Sequence, residues 1–328
     1  MTAAIDVLMA SWSSRESLEG SITGDDFDES LKEISAQVGI DGVIRQLRLF
    51  PHVHRIAIVA GGELSDIPFS ALTATGETEP LGLQFALSDL PCLSARLSLH
   101  RRSLRLRGDR WLVVSPPADG LTPAAGRRAR TVLNGARATP VRLQTELELH
   151  RHRQVRIDSH GQHDHDDPTR SWLQLAPEGP NGRLRAEELQ WMDMRRCGTL
   201  VLGACESGMA QRTGRDERIG FVRAAFHAGV PAVIAAKWIA EDAVAATVLD
   251  RYERYVRYLP RDLALQRAQL DVHRGAPGVP TSIPAADHPA RWACWTLYGN
   301  SGWQTRAGPV RRLLRRSVDG WWGRAAHP

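Results

Sequence analysis

The 328-residue chain is poor in cysteine, lysine and aromatic residues, and it has no long apolar run. Each scarcity excludes something. The four cysteines are Cys92, Cys197, Cys205 and Cys294. In a chain this long they do not read as a disulfide framework, and none forms a C-x-x-C metal pair. A reducing, cytoplasmic compartment is expected, in which a free thiol stays usable. No apolar run reaches the roughly 18 residues that a membrane-spanning helix needs. Met1–Trp12 has no basic stretch ahead of its apolar residues, so it lacks the form of a secretory signal. Lys32 and Lys237 are the only lysines, so the net charge of +5 is carried by arginine. That bias reads as GC-rich coding rather than as a nucleic-acid partner. Two arginine clusters stand out: Arg96, Arg101, Arg102, Arg105, Arg107 and Arg110, then Arg311, Arg312, Arg315 and Arg316. Nucleic-acid binding calls for stacking aromatics or a known module, and the first cluster has only Trp111 nearby. A solvated or partner-facing surface is expected there, and no nucleic acid.

What the chain does have is a thiol and an imidazole in matching settings. Val201–Gly208 reads Val-Leu-Gly-Ala-Cys-Glu-Ser-Gly, and Gln154–Gly161 ends in Asp-Ser-His-Gly. Each has the form of a buried strand that stops at a reactive side chain with a glycine close behind. Side chains at the carboxyl ends of parallel strands can meet above the sheet edge, where open α/β folds place their chemistry. Cys205 is thus a candidate nucleophile and His160 its base. A free thiol has a pKa of about 8.5, so little of it is thiolate at neutral pH. A neighbouring imidazole takes the proton and later returns it to the leaving amine. The backbone N–H groups of Gly161 and Cys205 are candidates for an oxyanion hole. A buried structural cysteine and an unrelated histidine would be the ordinary reading of either residue alone. The paired context favours the dyad.

These residues also carry a family resemblance. Gly62–Leu72 resembles the early "G-x-L-x-x-(I/L)-P-F-x-A-L" segment of the CHAT family, the caspase-like domain associated with tetratricopeptide repeats. Ser159-His160-Gly161, with Ser171–Leu175 after it, resembles that family's histidine motif and following strand. Ala204–Gly208 resembles its "A-C-E-(S/T)-G" motif, and Gly220–Gly229 its glycine-bounded helix. Trp238–Asp242 resembles its "W-x-x-x-D" turn, and His288–Ala293 with Gly299 its closing segment. The motifs stand in family order over roughly residues 30–302. The resemblance implies a caspase-like three-layer α/β sandwich, with a mostly parallel sheet and helices on both faces. It implies a cysteine endopeptidase without cofactor, acting on a protein substrate under a regulatory protein partner in a bacterial signalling or defence pathway. A catalytically silent interaction module is the alternative.

The residue pattern agrees with an alternating α/β chain. Asp25 or Asp26 can cap a helix that carries Phe27, Leu31, Ile34 and Val38 at helical spacing. Arg55–Ala60, Trp111–Ser115, Val155–Asp158, Thr199–Gly203 and Ala232–Ala236 read as short strands. Helices are expected near Pro123–Asn134, Glu217–His227, Glu241–Tyr258 and Arg261–His273. Such alternation argues for a mostly parallel sheet covered on both faces. Residues 1–29 are expected to form an N-terminal extension, 30–302 the peptidase domain, and 303–328 a basic amphipathic tail. In that tail Val310, Leu313, Leu314 and Val318 lie on one helical stripe, which suits packing on the domain, a partner or an acidic membrane surface.

Substrate-binding candidates follow from the resemblance. In caspase-like enzymes the strand and turn after the cysteine help build the pocket for the residue before the cut bond. Trp238 and Asp242 occupy that turn. An acidic wall at Asp242 would favour Arg or Lys there, while helix capping is the other reading of Asp242. If the Lys237 ammonium entered the pocket, preference would turn toward acidic residues. Asp158 stands two residues before His160, so on a strand both would face the same side. It can orient the imidazole, line a substrate pocket or close a polar strand end. The His163–Asp167 run has metal-ligand residue types, but adjacent loop residues rarely converge on one ion, and no metal is expected.

Overall fold

The structure, a computed structural model, describes residues 25–105, 110–116, 131–162, 164, 167–177, 182–203, 211–212, 218–238, 242–277, 279 and 288–302. The main helices are α1 (Asp25–Val38), α2 (Ile40–Arg48), α3 (Ala95–Arg105), α4 (Pro140–Leu149), α5 (Phe221–Ala228), α6 (Asp242–Tyr255) and α7 (Arg261–His273). The strands are β1 (Arg55–Ile58), β2 (Ala86–Asp89), β3 (Arg110–Ser115), β4 (Thr131–Asn134), β5 (His152–Ile157), β6 (Gly161–Gln162), β7 (Trp172–Gln174), β8 (Arg183–Arg185), β9 (Leu200–Leu202), β10 (Gln211–Arg212), β11 (Arg218–Ile219), β12 (Ala232–Ala236) and β13 (Trp295–Gly299).

Eight strands form one sheet in the order β1-β2-β13-β12-β9-β5-β3-β4. Every neighbouring pair is parallel except β12–β13. β1, β2 and β13 therefore run one way, and the other five strands run the opposite way. The central strands are apolar on both sides, as a doubly covered sheet requires. Ala232, Ile234 and Ala236 of β12 join one core, while Val233 and Ala235 join the other. In β9, Val201 faces the first core, and Leu200 and Leu202 the second. This period of two proves three layers. The first core takes residues of α1, α2, α6 and α7, and the second takes residues of α4 and α5.

Helix α1 forms as its spacing predicts, with Phe27, Leu31 and Ile34 buried. Helix α7 lies over the expected residues but is buried on nearly every side. Its polar groups are therefore bonded inward. Gln266 donates to Leu83 O at 3.0 Å, and Gln269 to the carbonyls of Trp292 and Trp295 at 3.1 and 3.0 Å. The helix expected to end at Asn134 is corrected, since Thr131–Asn134 is strand β4, paired in parallel with β3. Thr131 and Val132 are β-branched and suit that edge. Strands β2 and β13 were not predicted. Their short, mixed compositions become strands through pairing with β1 and β12.

The early and closing motifs hold each other. Ile67 and Leu72 are fully buried, and Ser70 Oγ donates to Ala293 O at 2.8 Å. His288 Nδ1 accepts from Ala290 N at 3.3 Å and caps the short helix Pro289–Trp292, whose Trp292 is fully buried. Gly299 has φ +89°, and a Cβ there would meet Pro231 O at 2.6 Å. Two separate reasons thus require glycine at the end of β13.

Candidate active site

His160 and Cys205 follow two strands that lie side by side. β5 and β9 are parallel, with Val155 opposite Leu200, Arg156 opposite Val201 and Ile157 opposite Leu202. His160 comes three residues after Ile157, and Cys205 three residues after Leu202. The strands stay hydrogen-bonded to their ends, with Gly203 N–H donating to Ile157 O at 2.8 Å. Gly203 is the last described residue before the cysteine, and Cys205 itself lies outside the described residues.

The histidine side is held from the second, smaller sheet. β6, β7 and β8 form an antiparallel three-stranded sheet directly after His160. Gln174 N–H donates to His160 O at 2.7 Å, and Gly161 pairs with Leu173. The imidazole is half-buried at the edge. Gly161 is half-buried beside it. Of the His163–Asp167 run, His163, His165 and Asp166 lie outside the described residues. Asp164 N–H donates to Ser171 Oγ at 3.0 Å, and Asp167 Oδ1 accepts from Thr169 N at 3.1 Å. The described residues hold no cluster of three metal-ligand side chains.

Beneath the edge lies an ionic cluster that sequence reasoning missed. Arg156 is fully buried on β5. Its Nε donates to Asp158 Oδ1 at 2.7 Å, and its Nη1 reaches Asp250 Oδ1 at 2.6 Å and Glu253 Oε1 at 3.5 Å. Asp250 and Glu253 stand on one face of α6, so the cluster ties that helix to β5. Gln154 Nε2 also donates to Glu253 Oε1, at 3.0 Å. Burial opposes the guanidinium charge, yet Asp158, Glu253 and Asp250 hold it firmly protonated. Burial pushes the Glu253 carboxyl up to about 6. Burial also raises Asp158, against the pull of Arg156. The one signal in the sequence was a charged pair two residues apart, Arg156 and Asp158, alternating with the apolar Val155 and Ile157.

Asp158 is thus buried and bound to Arg156, not turned to an open pocket. Its carboxylate lies flat against β9, because a Cβ built on Gly203 would collide with Asp158 Oδ1. Glycine at 203 is what lets the strand ends approach so closely.

Trp238 follows β12 and is buried in the first core, with Nε1 donating to Ala290 O at 3.0 Å. Asp242 is the first residue of α6. The Lys237 ammonium does not enter a substrate pocket, which removes the reading in which it sets an acidic preference. Its ammonium is buried, donates to Ile67 O at 2.9 Å and meets Asp89 Oδ2 at 3.1 Å. Lys237 ties the early motif to the end of β12.

The other thiols differ sharply. Cys197 is buried and its thiol is pushed up to about 12 by desolvation. Cys294 is fully buried. Cys92 is exposed, and its thiol is lowered by the Ser94 hydroxyl, 3.2 Å away, and by the Ala95 N–H.

Comparison with known proteins gives a family and distant structural likenesses. The CHAT domain family model matches residues 29–300. The fold is similar to separase in the separase–securin complex of Saccharomyces cerevisiae, at 14% identity and TM-score 0.47, covering 72% of this chain and 15% of separase. It is similar to the Arg-specific cysteine proteinase gingipain R, at 10% identity and TM-score 0.49, covering 76% of this chain and 63% of that one. A complex of the pro- and mature domains of RgpB from Porphyromonas gingivalis gives 9% identity and TM-score 0.48, covering 83% and 69%. No curated protein matches the chain. The mostly parallel sheet, covered on both faces, is an α/β architecture.

Proposed function

Because the chain belongs to the CHAT domain family, we propose that it is a cysteine endopeptidase with Cys205 as nucleophile and His160 as base. One observation carries the reading. β5 and β9 lie adjacent and parallel, in a register that ends at Ile157 opposite Leu202. His160 and Cys205 each follow three residues later. Chain reach alone keeps Cys205 Cα within about 7 Å of Gly203 Cα.

In this reaction His160 takes the Cys205 thiol proton, and the thiolate attacks the peptide carbonyl carbon. The backbone N–H groups of Gly161 and Cys205 hold the oxyanion. The intermediate collapses as the C–N bond breaks and His160 gives its proton to the leaving amine. Water, deprotonated by His160, then cleaves the thioester and frees the new carboxylate and the thiol. Asp158, anchored by Arg156 against Gly203, positions the two strand ends and does not touch substrate. Asp242 borders the pocket for the residue before the cut bond, with buried Trp238 behind it, and favours Arg or Lys. The substrate is a protein. A separate protein partner regulates cleavage in the cytoplasm, in a bacterial signalling or defence pathway.

A peptide-library cleavage profile of the activated protein tests this, with Cys205→Ala and His160→Ala as controls. Cleavage should vanish in both. Losing a charge-assisted contact at Asp242→Ala should cost cleavage after basic residues about tenfold or more. Thiol labelling adds a second check and needs a Cys92→Ser background, because Cys92 is exposed with a lowered pKa. Cys205 should then be alkylated well ahead of Cys197 and Cys294. No cleavage, together with slow Cys205 labelling, would make the chain a silent interaction module.

A further inference from the structure

The first arginine cluster is left unused by the catalytic reading. Most of it lies on α3, whose sequence Ala-Arg-Leu-Ser-Leu-His-Arg-Arg-Ser-Leu-Arg contains no acidic residue. Arg96, Arg101 and Arg102 are exposed, and among the described residues none of them has an ion pair. Beside α3 lies a cavity of about 470 Å³. Leu99, Val222, Phe226 and Tyr298 form its apolar lining, and Arg102 and Arg223 stand among its polar residues. Arg102 Nη1 donates to Phe226 O at 2.9 Å, so its guanidinium spans from α3 to α5.

This cavity is separate from the His160 edge. Ile58, Asp89 and Tyr298 all line it and stand in register across β1, β2 and β13. Tyr298 is opposite Val233, and Val233 is opposite Leu200, the first residue of β9. Gly203 and the cysteine follow the other end of that strand.

We propose that α3 and this cavity form a docking site for an acidic segment of a protein partner, anchored by a bulky apolar side chain. The charges of Arg96 and Arg101 meet no carboxylate among the described residues, and Asp89, the acidic residue in the lining, is bound to the Lys237 ammonium at 3.1 Å. The volume falls in the range of ligand pockets, about 300–1,000 Å³, and has room for an aromatic anchor. Apolar surface continues outside it. Leu93, Leu97 and Trp191 are 70%, 55% and 77% exposed. The Trp191 ring packs edge-on against His227, another lining residue, with centroids 5.5 Å apart. Apolar anchors with a charged rim are the anatomy of a protein interface. Single-stranded nucleic acid would need aromatic stacking platforms along the basic row, and α3 carries no aromatic residue. A membrane surface would leave the cavity of about 470 Å³ unfilled, whereas a bulky apolar side chain fills it.

The test uses the full chain and a fluorescein-labelled peptide with a central Trp-Leu pair flanked by glutamates. Controls are the same glutamates around Ser-Gly, poly-uridine RNA and phosphatidylserine vesicles. The Trp-Leu peptide should bind saturably, and the Ser-Gly peptide much more weakly. Arg96→Glu and Arg102→Glu should each weaken binding about tenfold. Ser98→Trp, which fills the lining without changing charge, should do the same while leaving the melting temperature unchanged. The Arg96 side chain makes no hydrogen bond or ion pair among the described residues, so R96E keeps the charge test independent of folding. Failure of the wild-type chain to bind the Trp-Leu peptide would overturn the proposal. So would binding that ignores Ser98→Trp, or RNA or vesicle binding that tracks the arginines when peptide binding does not.

Discussion

On α7, Arg261 is fully buried and donates to Thr199 Oγ1 at 2.8 Å, Gly198 O at 2.9 Å and Asn300 Oδ1 at 3.1 Å. Burial pulls its guanidinium down to about 10. On β5, Arg156 is equally buried but sits among three carboxylates. On α3, Arg96 and Arg101 stand in solvent without an ion pair among the described residues. One residue type thus does two jobs. A buried guanidinium binds elements together because its five N–H groups satisfy carbonyls and carboxylates in a fixed fork. An exposed one adds almost nothing to folding and is available to a partner.

The contrast predicts effects that fall in a definite order. Arg156→Met should be the most damaging. Removing one partner of a buried ionic cluster leaves carboxylates uncompensated and costs about 3–5 kcal/mol. Urea denaturation would show it, and a loss below 1 kcal/mol would mean the carboxylates simply take up protons instead.

Next is His152, buried at the start of β5, whose ring burial drives its pKa down to about 4. The unfolded ring takes a proton near pH 6.5 and the folded one does not. Stability should therefore fall as pH drops from about 6.5 toward 4, by roughly 2–3 kcal/mol over the full window. His152→Phe should flatten that acid slope, whatever it does to the midpoint at neutral pH. An unchanged slope would place the titration elsewhere.

Glu253 should act with the opposite sign. Its folded pKa of about 6 is above its ordinary value. Its ionisation is disfavoured in the fold, so stability is lost as pH rises through 4.5 to 6. Glu253→Gln keeps an acceptor for Gln154 and should recover about 1–2 kcal/mol at pH 8, with little gain at pH 4. Equal effects at both pH values would show packing rather than charge at work.

The smallest effect belongs to α3. Arg96→Ala and Arg101→Ala should shift stability by no more than about 0.5 kcal/mol. A larger loss would mean that these arginines serve the fold, and would erase the contrast with Arg156 and Arg261.

Much of the architecture was legible in residue order. The all-apolar Ala232–Ala236 run reads as a short strand, and it is one, covered on both faces. Phe27, Leu31 and Ile34 showed the face of α1 by spacing alone. Helix α7 was placed over its observed residues although its pattern is not amphipathic. Thr131–Asn134 was misread because a short segment has little periodicity of its own. Its state is set by the neighbouring β3.

Local chemistry likewise determined the two strand-end motifs and the glycines behind them, because strand period and residue reactivity are written in consecutive positions. Tertiary structure alone decided what the charged residues do. Nothing near Lys237 in sequence points to Asp89 and Ile67, which hold its ammonium. Nothing near Arg156 points to Asp250 and Glu253 on α6. Gly203 needs to be glycine because Asp158, from another strand, lies against it. Charge pairing in a dry interior depends on which distant groups the fold brings within about 3 Å. That is a property of strand order and helix placement, which the linear pattern does not contain.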